Sequence, residues 1–165
     1  MSGDSIDEIQ ARWASEGVPP RPGNPPEALA AFETRYGVIL PPAFRDYFAR
    51  LDGTGEHSDD AHLRFWPLAE VEPILQYHRW EPADVPELVG WFYFADFLIN
   101  SHTFAIRLTT DPVDGGPVAY ELGGLFPLAP SFDGFLERYL SDRDTLTYSL
   151  APPRPGDRDD EASLG

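Results

Sequence analysis

Between Asn24 and Leu51 the apolar residues fall into two short helical stripes. Leu29, Phe32 and Tyr36 recur at i, i+3 and i+7, and Phe44, Tyr47, Phe48 and Leu51 at i, i+3, i+4 and i+7. Asn24 is a capping residue with Glu27 three positions on, and Pro25 suits the first helical position, so the first stripe has a start signal. Gly37 gives it a left-handed stop. After the extended Val38, Ile39 and Leu40, Pro41 and Pro42 open the second stripe and Gly53 closes it. The spacing therefore predicts a helical hairpin clamped by aromatic faces. Beyond it the period drops to two: Phe104, Ile106 and Leu108 recur at every second position, as do Val118, Tyr120 and Leu122, and "LRFWPL" from Leu63 and "WFYF" from Trp91 read as further strands. "DPVDGG" is a turn between the Phe104–Leu108 and Val118–Leu122 strands. Arg107 and Glu121 fall opposite the apolar set, which predicts an antiparallel sheet with one wet side. "SFDGFLERYLS" predicts a closing helix capped by Ser131, with Phe132, Phe135, Leu136, Tyr139 and Leu140 inward. "VEPILQYHRW" fits a helix or an irregular crossing equally well.

The flanks differ in kind. "SIDEIQARWASEG" has Ser5 and Glu8 at capping-box spacing, with Ile6, Ile9 and Trp13 on one side. "GVPPRPGNPP" cannot sustain regular hydrogen bonding and reads as an extended spacer. "APPRPGDRDDEASLG" has little to bury and reads as disordered. The expected division is a short helix over 1–17, a Pro-rich linker over 18–26, one α+β domain over 27–148 and an acidic tail over 149–165. In that domain the helical hairpin and the last helix pack around a mainly antiparallel sheet.

At 165 residues and 42% hydrophobic, the chain supports one sizeable core. Its longest apolar run, Leu88 to Ile99, is interrupted by Gly90 and Asp96 and falls short of the ~20 residues that span a bilayer. The first residues are acidic where a signal peptide is basic, so the expected location is the cytoplasm. Without cysteine there is no disulfide framework, thiolate metal site or thiol catalysis. The net charge is -16, and all 12 bases are arginine. Such a surface repels nucleic acid and anionic lipid and accelerates encounter with cationic partners.

With the hairpin, sheet and closing helix laid out, the chain resembles the SUKH superfamily. The resemblance rests on Phe32 and Glu33, Tyr36 and Gly37, Leu40 and Pro41, then Tyr47, Phe48, Leu51, Asp52 and Gly53, and further on "FADFLINSHTFAIRL" and "SFDGFLERYL". It covers roughly Glu27 to Leu146. The double glycine common after the family's second helix appears here as "DGTG", with Thr54 between. Members include a fungal regulator of cell-wall synthesis and bacterial immunity proteins that neutralise toxins, often nucleases. The resemblance implies a non-catalytic binding module whose partner is a cognate, cationic protein toxin, or else a regulatory scaffold of the same fold. The lysine-free, arginine-, alanine- and proline-rich composition is one that GC-rich bacterial genomes encode.

Candidate chemistry is sparse. His57, Asp59, Asp60 and His62 in "EHSDDAH" are potential metal ligands but match no strong spacing, and a solvated acidic loop accounts for them, so no metal or other cofactor is expected. Ser101 and His102 are adjacent, so in a strand they point to opposite faces and form no nucleophile–base pair. A structural His102 with a backbone partner is the simpler expectation, and no enzyme activity is assigned. Among the rings Trp66, Trp80, Trp91, Phe92, Tyr93 and Phe94, most are expected in the core, with one or two exposed for a partner. Acids gather in predicted loops at Asp52, Glu56, Asp59 and Asp60, at Glu81, Asp84 and Glu87, and at Asp111 and Asp114. The expected contact set for a basic toxin is Glu56, Asp59, Asp60, Asp111 and Asp114, with an exposed aromatic as anchor.

Overall fold

The computed structural model describes residues 2–111, 115–147 and 150. Among the described residues five α-helices and six strands follow in the order α1 (Ser2–Ser15), α2 (Pro26–Tyr36), α3 (Pro42–Arg50), β1 (Leu63–Phe65), β2 (Glu72–Pro73), α4 (Ile74–His78), β3 (Trp91–Phe97), β4 (His102–Arg107), β5 (Val118–Glu121), β6 (Leu125–Ala129) and α5 (Phe132–Ser141). The fold is α+β. Every strand pairing is antiparallel, in the order β1-β3-β4-β5-β6, with β2 also paired to β3.

The two punctuated helices form as their spacing predicts. Gly37 takes φ 64° and its N–H returns to the Glu33 carbonyl, ending α2 in the left-handed conformation that glycine adopts without strain. Asn24 does not cap α2. Pro25 stands at the cap position, and the Asn24 amide nitrogen instead donates to the Phe48 carbonyl and to Asp52. At the closing helix the expected cap is present, with Ser131 Oγ accepting from the Gly134 N–H at 3.1 Å.

One sheet face carries α2, α3 and α5. Phe32 and Tyr36 of α2 meet Phe92, Phe44 of α3 meets Phe94 edge-on, and Phe132 and Phe135 of α5 close on Phe94, with Phe135 also against Phe104. Edge-to-face ring pairs of this kind add to the stabilisation from area burial. Phe44, Phe48, Phe104 and Leu136 have no exposed surface.

Two expectations change at the ends. α1 starts before Ser5, so Ser5 lies within the helix, and its Ile6, Ile9 and Trp13 are buried against the rest of the core. The Pro-rich segment is a strap rather than a free spacer: Val18 is buried, the Asn24 N–H donates to the Phe48 carbonyl, and Arg21 pairs with Asp52. The acidic tail expected over 149–165 lies outside the described residues, except Leu150, which is buried.

A sixth strand, β6, was not anticipated. It returns after the Gly123–Gly124 turn and is an edge strand, which is where its Pro127 is tolerated. The ambiguous "VEPILQYHRW" resolves into the two residues of β2 followed by the short α4.

Candidate functional site

The predicted acidic set is dispersed. Glu56 and Asp60 are exposed on the loop before β1, and Asp111 is exposed beyond the far end of β4, while Asp114 lies outside the described residues. β4 begins at His102, beside the Phe97 end of β3, and its extension reaches Thr109, which bridges Ile39. Seven residues of strand at about 3.3 Å each put the Asp111 end on the order of 20 Å from the hairpin tip beside the Asp60 loop.

Asp59 requires a correction, because its side chain has no exposed surface and it is not part of an accessible loop charge. One carboxylate oxygen accepts the Ala61 and Leu63 N–H groups at 2.8 and 3.0 Å, and the other accepts the Tyr139 hydroxyl and approaches Arg143 at 3.4 Å. Tyr139 in turn accepts from the Trp13 indole N–H at 2.8 Å, and Arg143 holds Glu16 at 2.8 Å. Burial, with the Asp59 carboxylate beside it, holds the Tyr139 phenol far above its ordinary value. Asp59 thus ties α1, α5 and the loop together, whereas its neighbour Asp60 faces solvent.

The same loop explains the "DGTG" spelling. Thr54 is fully buried, its Oγ1 accepts the Phe65 N–H at 2.9 Å, and its own N–H reaches the Phe65 carbonyl. Gly53 sits at φ 70°, and a Cβ there would stand 2.4 Å from the Phe65 carbonyl oxygen. The threonine latches the turn to β1 and the glycine permits the approach. His57 and His62 are exposed and Asp59 is committed elsewhere. Among the described residues no three His, Asp or Glu side chains are placed to hold a metal ion. His102 Nε2 donates to the Leu146 carbonyl at 3.2 Å, and the Ser101 hydroxyl donates to the Leu98 carbonyl. That is a structural histidine beside a turn serine.

The other sheet face is not simply wet. Strand pairing sets Tyr93, Ala105, Ala119 and Pro127 in one row across β3 to β6, with Trp91 and Arg107 in the next row. The two alanines give this face a shallow floor between larger side chains. A trough of about 520 Å³ opens on its β5–β6 side, lined by Trp91, Ala119, Leu125 and Pro127 among others. Arg107 is exposed as expected, but Glu121 is half-buried and accepts the Tyr93 hydroxyl at 2.9 Å. On the β1 side a ring cluster from α4 covers the sheet. Tyr77 stands edge-on to Tyr93 at 5.2 Å, His78 Nε2 donates to the Tyr93 hydroxyl at 2.9 Å, and Trp80 stacks on His78 at 4.1 Å. Tyr77 and Trp80 remain 43% and 44% exposed, so large exposed rings of the anticipated kind are present here.

Sequence reasoning did not foresee this platform, although Trp80 and the acids that follow it, Glu81, Asp84 and Glu87, all exposed, are contiguous signals in the chain. Among the described residues no helix is long and apolar enough to cross a membrane. No curated protein matches the sequence. The hairpin of α2 and α3, the antiparallel sheet and the start of α5 all fall within residues 23–138, the stretch that matches the SMI1 / KNR4 family (SUKH-1), and the chain belongs to that family.

Proposed function

We propose that this protein binds and neutralises a cationic protein toxin in the bacterial cytoplasm, as a non-catalytic immunity protein. The observation that carries the reading is SUKH-1 membership over 23–138 in a chain whose net charge is -16. The exposed carboxylates Glu56 and Asp60, with Asp111 and Asp114, draw a basic partner in, and the exposed rings on the outer sheet face supply a contact that holds it. Charge complementarity acts mainly on association and a desolvated aromatic anchor mainly on dissociation. A toxin whose phosphate-gripping arginines and lysines are covered in this way loses its substrate site. The second reading, favoured by the family's fungal regulator, is a protein-interaction scaffold without a toxin.

The test is co-expression with the polypeptide encoded beside this chain, scored by cell survival, together with association kinetics at two salt concentrations. The expected result is protection, an on-rate that falls steeply with salt, and a slower on-rate for the Glu56→Arg, Asp60→Arg double variant. Asp59 is left intact because its replacement would unsettle the fold. Absence of both binding and protection would turn the reading to the scaffold.

A further inference from the structure

Tyr77 and Trp80 are large rings that the fold leaves almost half uncovered, yet it holds them in fixed positions. At the end of α4, Arg79 takes φ 59°, a left-handed conformation unfavourable for a residue with a side chain, and the Trp80 N–H returns to the Leu75 carbonyl at 2.9 Å. That reversal lays Trp80 on His78 with ring planes 17° apart. His78 is held by Tyr93, and Tyr93 by Glu121. Tyr77 is backed by Trp66 at 5.8 Å as well as by Tyr93. Two ring faces are therefore preorganised toward solvent at the expense of a strained backbone residue, while much of their surface contributes nothing to the core.

Carboxylates lie on this part of the surface. Glu72 pairs across the strands with Tyr93, Glu81 follows Trp80 directly, and Glu121 accepts the Tyr93 hydroxyl on one oxygen and the Gly123 and Gly124 N–H groups on the other. The nearby bases are Arg64, half-buried, and Arg79 and Arg107, both exposed. Among the described residues, arginine–ring contacts fall on Tyr36, Tyr139 and Trp66, and none falls on Tyr77 or Trp80. The contact on Trp66 belongs to the same cluster. Arg64 lies 5.9 Å from that ring and is held in place by Glu70 at 2.8 Å and Asp96 at 3.7 Å. The cluster's inner ring thus already carries a guanidinium clasped by carboxylates, and its outer rings offer the same combination to solvent.

We propose that the exposed faces of Tyr77 and Trp80 bind arginine side chains of a basic polypeptide, with a guanidinium stacked on either ring and steered by Glu72, Glu81 and Glu121. A planar, weakly hydrated guanidinium gains both stacking and cation–π attraction, whereas a strongly hydrated ammonium gains less, so the platform selects arginine over lysine. The apolar trough beside Trp91 accommodates the flanking stem and neighbouring residues of the bound segment. The inference rests on the toxin-binding reading for its biological setting, but its chemistry is tested without any toxin.

The experiment titrates the intact protein with synthetic nona-arginine and nona-lysine peptides at 150 mM salt. It uses calorimetry for affinity and the indole N–H resonance of Trp80 for location. The expected result is about fivefold tighter binding of nona-arginine, with the Trp80 indole among the shifted signals. In Trp80→Leu and Tyr77→Leu, which keep apolar bulk without the ring, the preference collapses toward unity while nona-lysine binding stays nearly constant. Both side chains are less than half exposed, so circular dichroism checks that the fold is retained. Equal affinity for the two peptides in the unaltered protein, or an arginine preference that survives both substitutions, overturns the proposal. In that event protection against a toxin, measured separately, would still stand on the acidic surface alone.

Discussion

Adjacent aspartates provide the sharpest test of how this chain is held together. Asp59 is enclosed and accepts the Ala61 and Leu63 amides and the Tyr139 hydroxyl, with the Arg143 guanidinium beside it, whereas Asp60 is exposed and only its backbone N–H is engaged, by Glu16. Asp59→Ala leaves two amides and a phenol without an acceptor and strips Arg143 of one of its two carboxylates. Each buried donor left unsatisfied costs about 1–3 kcal/mol, and breaking a buried charged pair by removing one member costs about 3–5 kcal/mol. Arg143 keeps Glu16, and the Ala61 amide is only part-buried and recovers some solvation, so the sum is held to about 3–5 kcal/mol. For a chain of this length that lowers the melting midpoint by roughly 6–20 °C. Asp60→Ala falls within about 0.5 kcal/mol of the unaltered protein. Calorimetric or circular-dichroism melts of the two variants decide the matter. Equal midpoints would show that the Asp59 network does not hold the loop, α1 and α5 together.

Further outcomes follow from the same structure. Phe48→Ala removes a ring with no exposed surface and costs about 3–5 kcal/mol, so the urea midpoint drops; an unchanged midpoint would contradict its central place in the core. Ile99, 93% exposed at φ 51° between the similarly left-handed Leu98 and Asn100, is a β-branched residue in a conformation that asparagine tolerates better. Ile99→Asn therefore leaves stability unchanged or raises it by up to about 1 kcal/mol, and a marked loss in a urea titration would refute that placement. Burial pulls His102 below its ordinary value, against the upward influence of the Leu146 carbonyl and Asp96. On acidification the unfolded chain then takes up this proton first, so the stability held by neutral His102 is complete above about pH 6.5 and is lost as pH falls toward the folded value. His102→Gln should flatten the decline in stability between pH 8 and 5, and identical slopes would exclude the effect.

What could be read along the chain was whatever depends on near neighbours. Gly37 as a stop, Ser131 as a cap and the aromatic spacing of α3 and α5 all specify local conformation, and all three appear as the pattern requires. Asn24 misled because its side chain had a stronger offer from Asp52 and the Phe48 carbonyl, 28 and 24 residues away, than from its own helix. β6 escaped notice because its proline speaks against a strand unless the strand is known to be at an edge, which only the pairing order reveals. The inward turn of Asp59 is decided by Tyr139 and Arg143, 80 and 84 residues later, and no local pattern separates it from Asp60. The aromatic platform depends on α4 folding back over β3, so Trp80 and Tyr77 could be picked out as rings but not assembled into a surface.

The clasp between α1 and the far end of the domain also shapes how the protein is made. Arg12 donates to the carbonyls of Tyr139 and Leu140, so the first helix waits for a partner 127 residues further along the chain. At a translation rate of about 5–20 residues per second that interval is roughly 6–25 s, during which the face carrying Ile6, Ile9 and Trp13 can meet α3 and then Phe65 of β1 but not yet α5. Asp7 and Glu8 keep the opposite face of the nascent helix charged and hydrated through the delay. The closing helix α5 is then the segment that completes the seat of α1.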